Sequence, residues 1–191
     1  MKIAVISDTH SHPIPPPLAR DLKRADVIVH AGDFCSKKDF DFFAQIKEVR
    51  AVWGNMDEAA LKKNLPERLI FQAGIFSIGV YHGRGAPSTV LKSVEEAFKG
   101  ERVDVIIFGH SHQPFNQKIK DILYFNPGSP TDKIRAPYPS YGLLEITSKA
   151  VSGHIIKLGY YSGHSRVRQR RIRLRRKSGN PSLRTILPNV F

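Results

Sequence analysis

The chain is 191 residues long, 41% hydrophobic and 25% charged, the size and balance of one globular domain with a real core. No apolar stretch approaches a membrane span, and the first apolar run passes straight into Asp8 and His10 with no small-residue cleavage site, so it does not read as a signal peptide. A lone cysteine, Cys35, excludes an internal disulfide and fits a reducing cytoplasm.

In chain order, strands and helices alternate. Lys2–Ser7, rich in Ile and Val, reads as a buried strand. Residues 8–17 form a loop stiffened by Pro13, Pro15, Pro16 and Pro17. Leu18–Arg24 reads as a short helix, Val27–His30 as a strand, Lys38–Ile46 as a helix and Val49–Trp53 as a third strand. Phe71–Tyr81, interrupted by Gly74 and Gly79, reads as a hairpin or two short strands. Ser88–Phe98 reads as a helix with Ser88 as N-cap and Gly100 past its end. Val103–Phe108 is a strong strand. The pattern then turns β-like over Asp121–Phe125, Tyr141–Thr147 and Gly153–Leu158. Strand–helix units come first and strand meanders last, which predicts two packed sheets with helices outside.

The net charge of +13 is concentrated at the C-terminal end. Residues 160–191 hold no Asp or Glu but carry Arg166, Arg168, Arg170, Arg171, Arg173, Arg175, Arg176, Lys177 and Arg184. Those nine leave 13 − 9 = 4 excess charges on residues 1–159. The shift near Gly159 marks one candidate boundary: a domain over 1–159 and a basic extension over 160–191.

Five apolar runs end close to a good metal ligand. Val5-Ile6 leads to Asp8 and His10, Val27–Val29 to Asp33, and Val49–Trp53 to Asn55. Ile78–Tyr81 leads to His82, and Val105–Phe108 to His110 and His112. Ligands of open α/β sheets sit at the carboxyl ends of strands, so this spacing predicts seven donors at one edge of one sheet. Any one of them alone is an ordinary buried polar residue; the registration to strand ends is what points to a site. Mixed imidazole and oxygen donors suit Mn²⁺, Zn²⁺, Fe or Ni²⁺ rather than Ca²⁺. Asp33, the one carboxylate not paired with a neighbouring ligand, is the natural bridge between two cations. Two metals roughly 3.5–4 Å apart clamp a phosphoryl group and activate a water. The glycines before Asp33, Asn55 and His110 let the backbone turn tightly. His30 reads as a hydrogen-bonded core histidine, His12 as a rim residue and Cys35 as a buried or rim thiol. His154 and His164 have no partner pattern, and Gly83-x-Gly85 reads as a turn after His82.

Asp8-Thr9-His10, Gly32-Asp33, Gly54-Asn55, His82 and Gly109-His110-Ser111-His112 follow the order D-x-H, GD, GN, H, GHxH. At these residues the chain resembles the calcineurin-like metallophosphoesterases. Asn126-Pro127-Gly128-Ser129 resembles their small prokaryotic branch, the YfcE-like phosphodiesterases. The resemblance covers about residues 1–158. It implies a four-layer α/β/β/α sandwich. It also implies one metal on Asp8, His10, Asp33 and His112 and a second on Asp33, Asn55, His82 and His110. Asp33, Asn55 and His110 are then the catalytic positions, the cofactors two divalent ions with Mn²⁺ foremost, and the assembly a homodimer.

Two departures bear on activity. Phosphatase relatives carry a histidine after the GN asparagine; here Met56 cannot donate a proton. Their phosphate-gripping arginine after GD is absent from GDFCSKKD. Both point to a phosphodiester substrate. Asp57 is a candidate to orient water or substrate, or a support residue. Two other readings stand beside the phosphodiesterase: a non-catalytic scaffold like the small retromer subunit, and a nucleic-acid-associated nuclease drawn by the tail. Scaffolds of that kind lose metal-site histidines, whereas His10, His82, His110 and His112 are all present.

No aromatic lies between Arg166 and Lys177, so base stacking is not supported and any polyanion contact is sequence-blind. Truncation after Gly159 is expected to abolish weak, steeply salt-dependent nucleic-acid binding and to leave turnover of small diesters unchanged. Salt-insensitive binding by the full chain, or lost turnover in a folded truncated protein, would make the tail part of the catalytic unit.

Overall fold

The computed structural model describes residues 1–159; the basic extension, with His164, lies outside the described residues. β1 (Lys2–Ile6) is a run of Ile, Ala and Val buried on both faces, as expected of a central strand covered on each side. It pairs in parallel with β2 (Val27–His30) and antiparallel with β9 (Ser140–Ile146). β3 (Val49–Ala51) and β10 (Val151–Lys157) complete a five-stranded sheet of order β10-β9-β1-β2-β3. The second five-stranded sheet runs β4-β5-β6-β8-β7, from β4 (Arg68–Ala73), β5 (Phe76–Tyr81), β6 (Val105–Ile107), β7 (Phe115–Ile119) and β8 (Ile122–Asn126).

The period-2 alternation of strand side chains builds the layers. Ile3, Val5, Val27 and Val29 from the first sheet meet Ile78, Val80, Val105, Ile107 and Phe125 from the second in one apolar cluster. Ala4, Ile6 and Ile28, pointing the other way, are covered by Leu18 and Leu22 of α1 (Pro16–Arg24), Phe43 of α2 (Lys37–Ile46) and Leu61 of α3 (Ala59–Asn64). On the far face, Tyr81, Ile106 and Phe108 are covered by Val90 and Val94 of α4 (Val90–Ala97). The result is the α/β/β/α sandwich that the motif resemblance implied.

Several boundaries differ from the sequence expectation, each for a local reason. α1 starts earlier because Pro16 and Pro17 occupy its first positions, where a missing N–H costs nothing. α2 starts at Lys37, capped by Ser36 in a capping box with Asp39. α4 has Thr89 rather than Ser88 at its N-cap, with no side-chain cap bond. Gly74, at φ +63°, makes the β4–β5 turn, whereas Gly79 lies inside β5. A Cβ at Gly79 would meet the Phe98 ring at 2.6 Å, so that glycine serves packing and does not break the strand. α3 and β7 were not expected. α3 has six residues and buries only Leu61; β7 is largely exposed along Phe-Asn-Gln-Lys-Ile and shows no apolar alternation. The late strands form two hairpins, one in each sheet. The β7–β8 hairpin belongs to the second sheet and the β9–β10 hairpin to the first.

Candidate metal centre

The strand-end donors do converge, but across two sheets rather than at the edge of one. Asp8 and His10 follow β1, Asp33 follows β2 and Asn55 follows β3, all in the first sheet; His82 follows β5, and His110 and His112 follow β6, in the second. The sheets pack with the carboxyl ends of these parallel strands on one side, so the site lies in the seam between them.

A chain of short contacts links all seven side chains. Asp8 Oδ1 is 3.3 Å from His112 Nε2, which is 3.2 Å from His10 Nε2. His10 Nε2 lies 3.8 Å from Asp33 Oδ2, and Asp33 Oδ2 lies 3.5 Å from His82 Nε2. His82 Nε2 is 3.2 Å from Asn55 Oδ1, which is 2.9 Å from His110 Nδ1. Asp33 therefore stands between a group of Asp8, His10 and His112 and a group of Asn55, His82 and His110. Asp8, His10 and His112 offer atoms within 4.8 Å of one another, as do Asp8, Asp33 and His82, so Asp8 also faces the second group.

Hydrogen bonds on the outer side of the rings decide which atoms face inward. His82 Nδ1 donates to Ala31 O at 2.6 Å and His110 Nε2 to Gly85 O at 2.7 Å. A carbonyl only accepts, so each ring carries a proton on that nitrogen, and the other nitrogen faces Asn55 Oδ1. The two carboxylates divide their work alike. Asp8 Oδ2 accepts from His110 N at 3.0 Å and Asp33 Oδ1 from Met56 N at 2.8 Å, leaving Asp8 Oδ1 and Asp33 Oδ2 for the centre. Asp8 is fully buried, and its Oδ1 has no hydrogen-bond donor. An orphaned buried carboxylate oxygen is costly. Carboxylate oxygens and ring nitrogens converging on one buried point are the arrangement a divalent cation satisfies, so this donor set fits metal.

Backbone conformation serves the same end. Asp8, His10, Asp33, His110 and His112, five of the seven, have φ between +48° and +68°, a left-handed region that costs of order 1 kcal/mol for an L-residue. Gly32 makes a turn at φ +95°, as the sequence reading had it. Gly54 and Gly109 have another reason: a Cβ would meet Asp33 Oδ1 at 2.2 Å and Ser7 Oγ at 1.9 Å respectively. They are glycine because the ligand loops approach too closely for any side chain.

Burial and mutual charge set the titration of these groups. Burial pushes His82 and His112 down, but Asp33 and Asp8 outweigh it for His82. Asp8, then Asp132, lift His112 to about 9. Burial opposes ionisation of Asp8 and Asp33, yet the neighbouring histidines hold both below the usual carboxylate range. Burial keeps His10 below the ordinary histidine value and drives His30 to about 3.

The remaining expectations resolve individually. His30 is a buried core histidine, its Nδ1 accepting from Gly32 N at 3.2 Å and its Nε2 3.1 Å from Thr9 Oγ1. It ties the loop after β1 to the loop after β2. His12 is exposed on the rim and His154 is exposed on β10. Cys35 lies 3.5 Å from His10 Nδ1, and burial raises its pKa, which favours the neutral thiol. Asp57 is buried and accepts from Asp33 N, Gly54 N and Cys35 N at 3.1, 2.8 and 2.7 Å. It clamps the two ligand loops, with both carboxylate oxygens accepting from their backbone. Met56 is 58% exposed beside Asn55. Sequence reading missed Asp132, whose Oδ2 is 2.5 Å from His112 Nδ1, and Ser129 and Thr131, which bond Asp8 O and Thr9 O at 2.7 and 3.1 Å. The Asn-Pro-Gly-Ser run was a signal for that segment; nothing in the spacing marked Asp132.

Comparison with known proteins agrees with this geometry. The signature of the calcineurin-like phosphoesterase superfamily domain matches residues 1–149. A probable metallophosphoesterase of Methanocaldococcus jannaschii is 37% identical over 154 residues, 78% of each chain. Wild-type Vps29 of Entamoeba histolytica, solved in complex with Zn²⁺, is similar with a TM-score of 0.64 and 26% identity, over 82% of this chain and 99% of that one. An archaeal phosphodiesterase is similar with a TM-score of 0.63 and 25% identity, over 82% of this chain and all of that one.

Protonated His112 must lose its proton before Nε2 can ligate. Its raised pKa keeps that proton on below about 9, so divalent-ion affinity is expected to fall as pH falls, by about tenfold per pH unit for one displaced proton. Calorimetric Mn²⁺ titrations at pH 6 and 8, in buffers of different ionisation enthalpy, would show the proton release; a pH-independent affinity would contradict this assignment.

Proposed function

This chain belongs to the calcineurin-like phosphoesterase superfamily, and we propose that it is a metal-dependent phosphodiesterase with a dinuclear centre. The observation that carries the reading is the pair of acceptor groups meeting at Asp33, with Asp8 Oδ1 buried and without a donor. Asp8, His10, Asp33 and His112 would hold one cation; Asp33, Asn55, His82 and His110 would hold the other. Two divalent ions there supply a Lewis acid for the phosphoryl oxygens and a water acidic enough to attack at neutral pH. Mn²⁺ is the first choice for this hard, mixed N/O set, with Ni²⁺, Zn²⁺ or Fe as alternatives.

The chain's own residues do the positioning. Asp33 and Asn55, on the loops after β2 and β3, would hold the second cation, and Asp57 ties those loops together. The left-handed turns at His110 and His112 set both rings toward the seam. Met56 has no dissociable proton, so the position after Asn55 supplies no acid for a leaving group. Without the acid and the arginine that serve phosphatase relatives, a diester is the substrate class we infer, and the similarity to an archaeal phosphodiesterase supports it. The scaffold reading is supported by the similarity to Vps29; the complete, convergent set of seven donors favours catalysis over it. The nuclease reading rests on the basic extension, outside the described residues. No helix among the described residues is long and apolar enough to cross a membrane. A cytoplasmic location, a homodimer and weak nucleic-acid contact by the tail complete the proposal on sequence grounds.

Bis-p-nitrophenyl phosphate is expected to be hydrolysed with Mn²⁺ or Ni²⁺, p-nitrophenyl phosphate more slowly, and chelator to stop both. A clear preference for the monoester in steady-state assays would refute the argument from Met56.

Asp33→Asn is expected to lower diester turnover by ~10³-fold or more, because it removes the charge shared by both cations. His12→Ala should keep its full metal content. Near-normal turnover by Asp33→Asn would exclude the two-metal scheme, and metal loss from His12→Ala would place that loop within the centre.

A further inference from the structure

Each of the four histidines in the centre turns one ring nitrogen inward, and the partners behind them differ. Neutral carbonyls stand behind His82 and His110, and a thiol stands behind His10 at 3.5 Å. Behind His112 stands a carboxylate, Asp132 Oδ2, 2.5 Å from Nδ1. Among the described residues no other ring of the centre has a charged partner on its outer side.

That carboxylate is itself held. Asp132 Oδ1 accepts from Ile134 N at 2.8 Å and Arg135 N at 3.0 Å, so the group cannot swing away. Asp132 N and Thr131 N both donate to Ser129 Oγ, at 3.0 and 3.3 Å. Ser129 Oγ in turn donates to Asp8 O at 2.7 Å, and Thr131 Oγ1 to Thr9 O at 3.1 Å. The loop after β8 is thus bolted to the loop that carries Asp8 and His10, while its carboxylate grips a ring of the loop after β6.

We propose that Asp132 is a positioning residue for the metal centre: it holds the His112 proton on Nδ1 and turns Nε2, as a strengthened donor, onto the cation position shared with Asp8 and His10. The inference rests on the metal-centre reading above. The physical reason is general. A ligating imidazole needs a free Nε2 lone pair at a set angle, and an anion accepting the Nδ1 proton supplies both orientation and basicity. A neutral amide in the same place supplies neither, because its NH₂ faces the ring proton or forces the other tautomer.

The test uses the full-length protein and Mn²⁺ alone. Asp132→Asn retains an oxygen for the Ile134 and Arg135 amides, so the turn survives. One of the two Mn²⁺ dissociation constants is expected to rise by about 10–100-fold, with the other nearly unchanged. Asp132→Glu should recover part of the loss. A second measurement needs no variant: ¹H–¹⁵N correlation spectra of the histidine rings in Zn²⁺-loaded wild-type protein should show His112 protonated at Nδ1. Unchanged constants in Asp132→Asn, equal weakening by Asn and Glu, or a His112 ring protonated at Nε2 would each overturn the proposal. If the Asn variant fails to fold, the ring spectrum decides alone. Wild-type protein that binds neither ion would defeat the metal-centre reading itself, which is a separate outcome.

Discussion

One carboxylate oxygen, Asp8 Oδ1, is fully buried with no donor, and the surrounding structure is arranged around that condition. Its neighbours are ring nitrogens turned inward by acceptors behind them, together with a second carboxylate oxygen, Asp33 Oδ2. Unfilled, such a cluster is repulsive and poorly solvated. Filled by cations, the same atoms become a coordination sphere, and binding energy becomes folding energy. The raised His112 and lowered Asp8 pKa values are the metal-free form of that tension: protons supply the positive charge that the acceptors demand.

Holding like acceptors together requires a scaffold that does not yield. The central apolar cluster provides it, with Ile3, Val5, Val29, Ile78, Val80, Ile107 and Phe125 all at or near zero exposure. At about 1.5–3 kcal/mol for each such side chain buried, this packing outweighs left-handed turns costing of order 1 kcal/mol each. Strain at Asp8, His10, Asp33, His110 and His112 is therefore tolerable only because two sheets are locked behind it. The same closeness excludes side chains at Gly54 and Gly109. The His30 strut and the Asp57 clamp tie the ligand loops to one another, the preorganisation that the proposed metal centre would need.

Polar residues divide by environment rather than by type. Asp57, next to Met56, is drawn inside by backbone N–H groups and serves the loops. Asp132 is pinned by two amides and serves a ring. Asp8 and Asp33 each satisfy one oxygen on a backbone amide and offer the other to the centre. Four carboxylates of one kind thus take three roles, assigned by which donors reach them.

The sequence by itself pointed to the seven side chains that converge and to most of the strands, because burial on both faces writes itself as Ile and Val runs, and the strand-end polar residues punctuate them. It also determined the composition break near Gly159. It did not show α3 or β7, since a helix that buries only Leu61 and an edge strand that is largely exposed leave no periodic signal. Nor did it distinguish Gly79 inside a strand from Gly74 in a turn. Only the tertiary structure decided that the donors sit in the seam of two sheets. Strand-end spacing is a one-dimensional property, whereas which sheet a strand joins depends on pairing between distant segments. Only the tertiary structure, too, placed Asp132 behind His112 and Ala31 O behind His82. Those contacts span 20 and 51 residues, and no local pattern encodes a hydrogen bond made by loops that meet only after the sheets have packed.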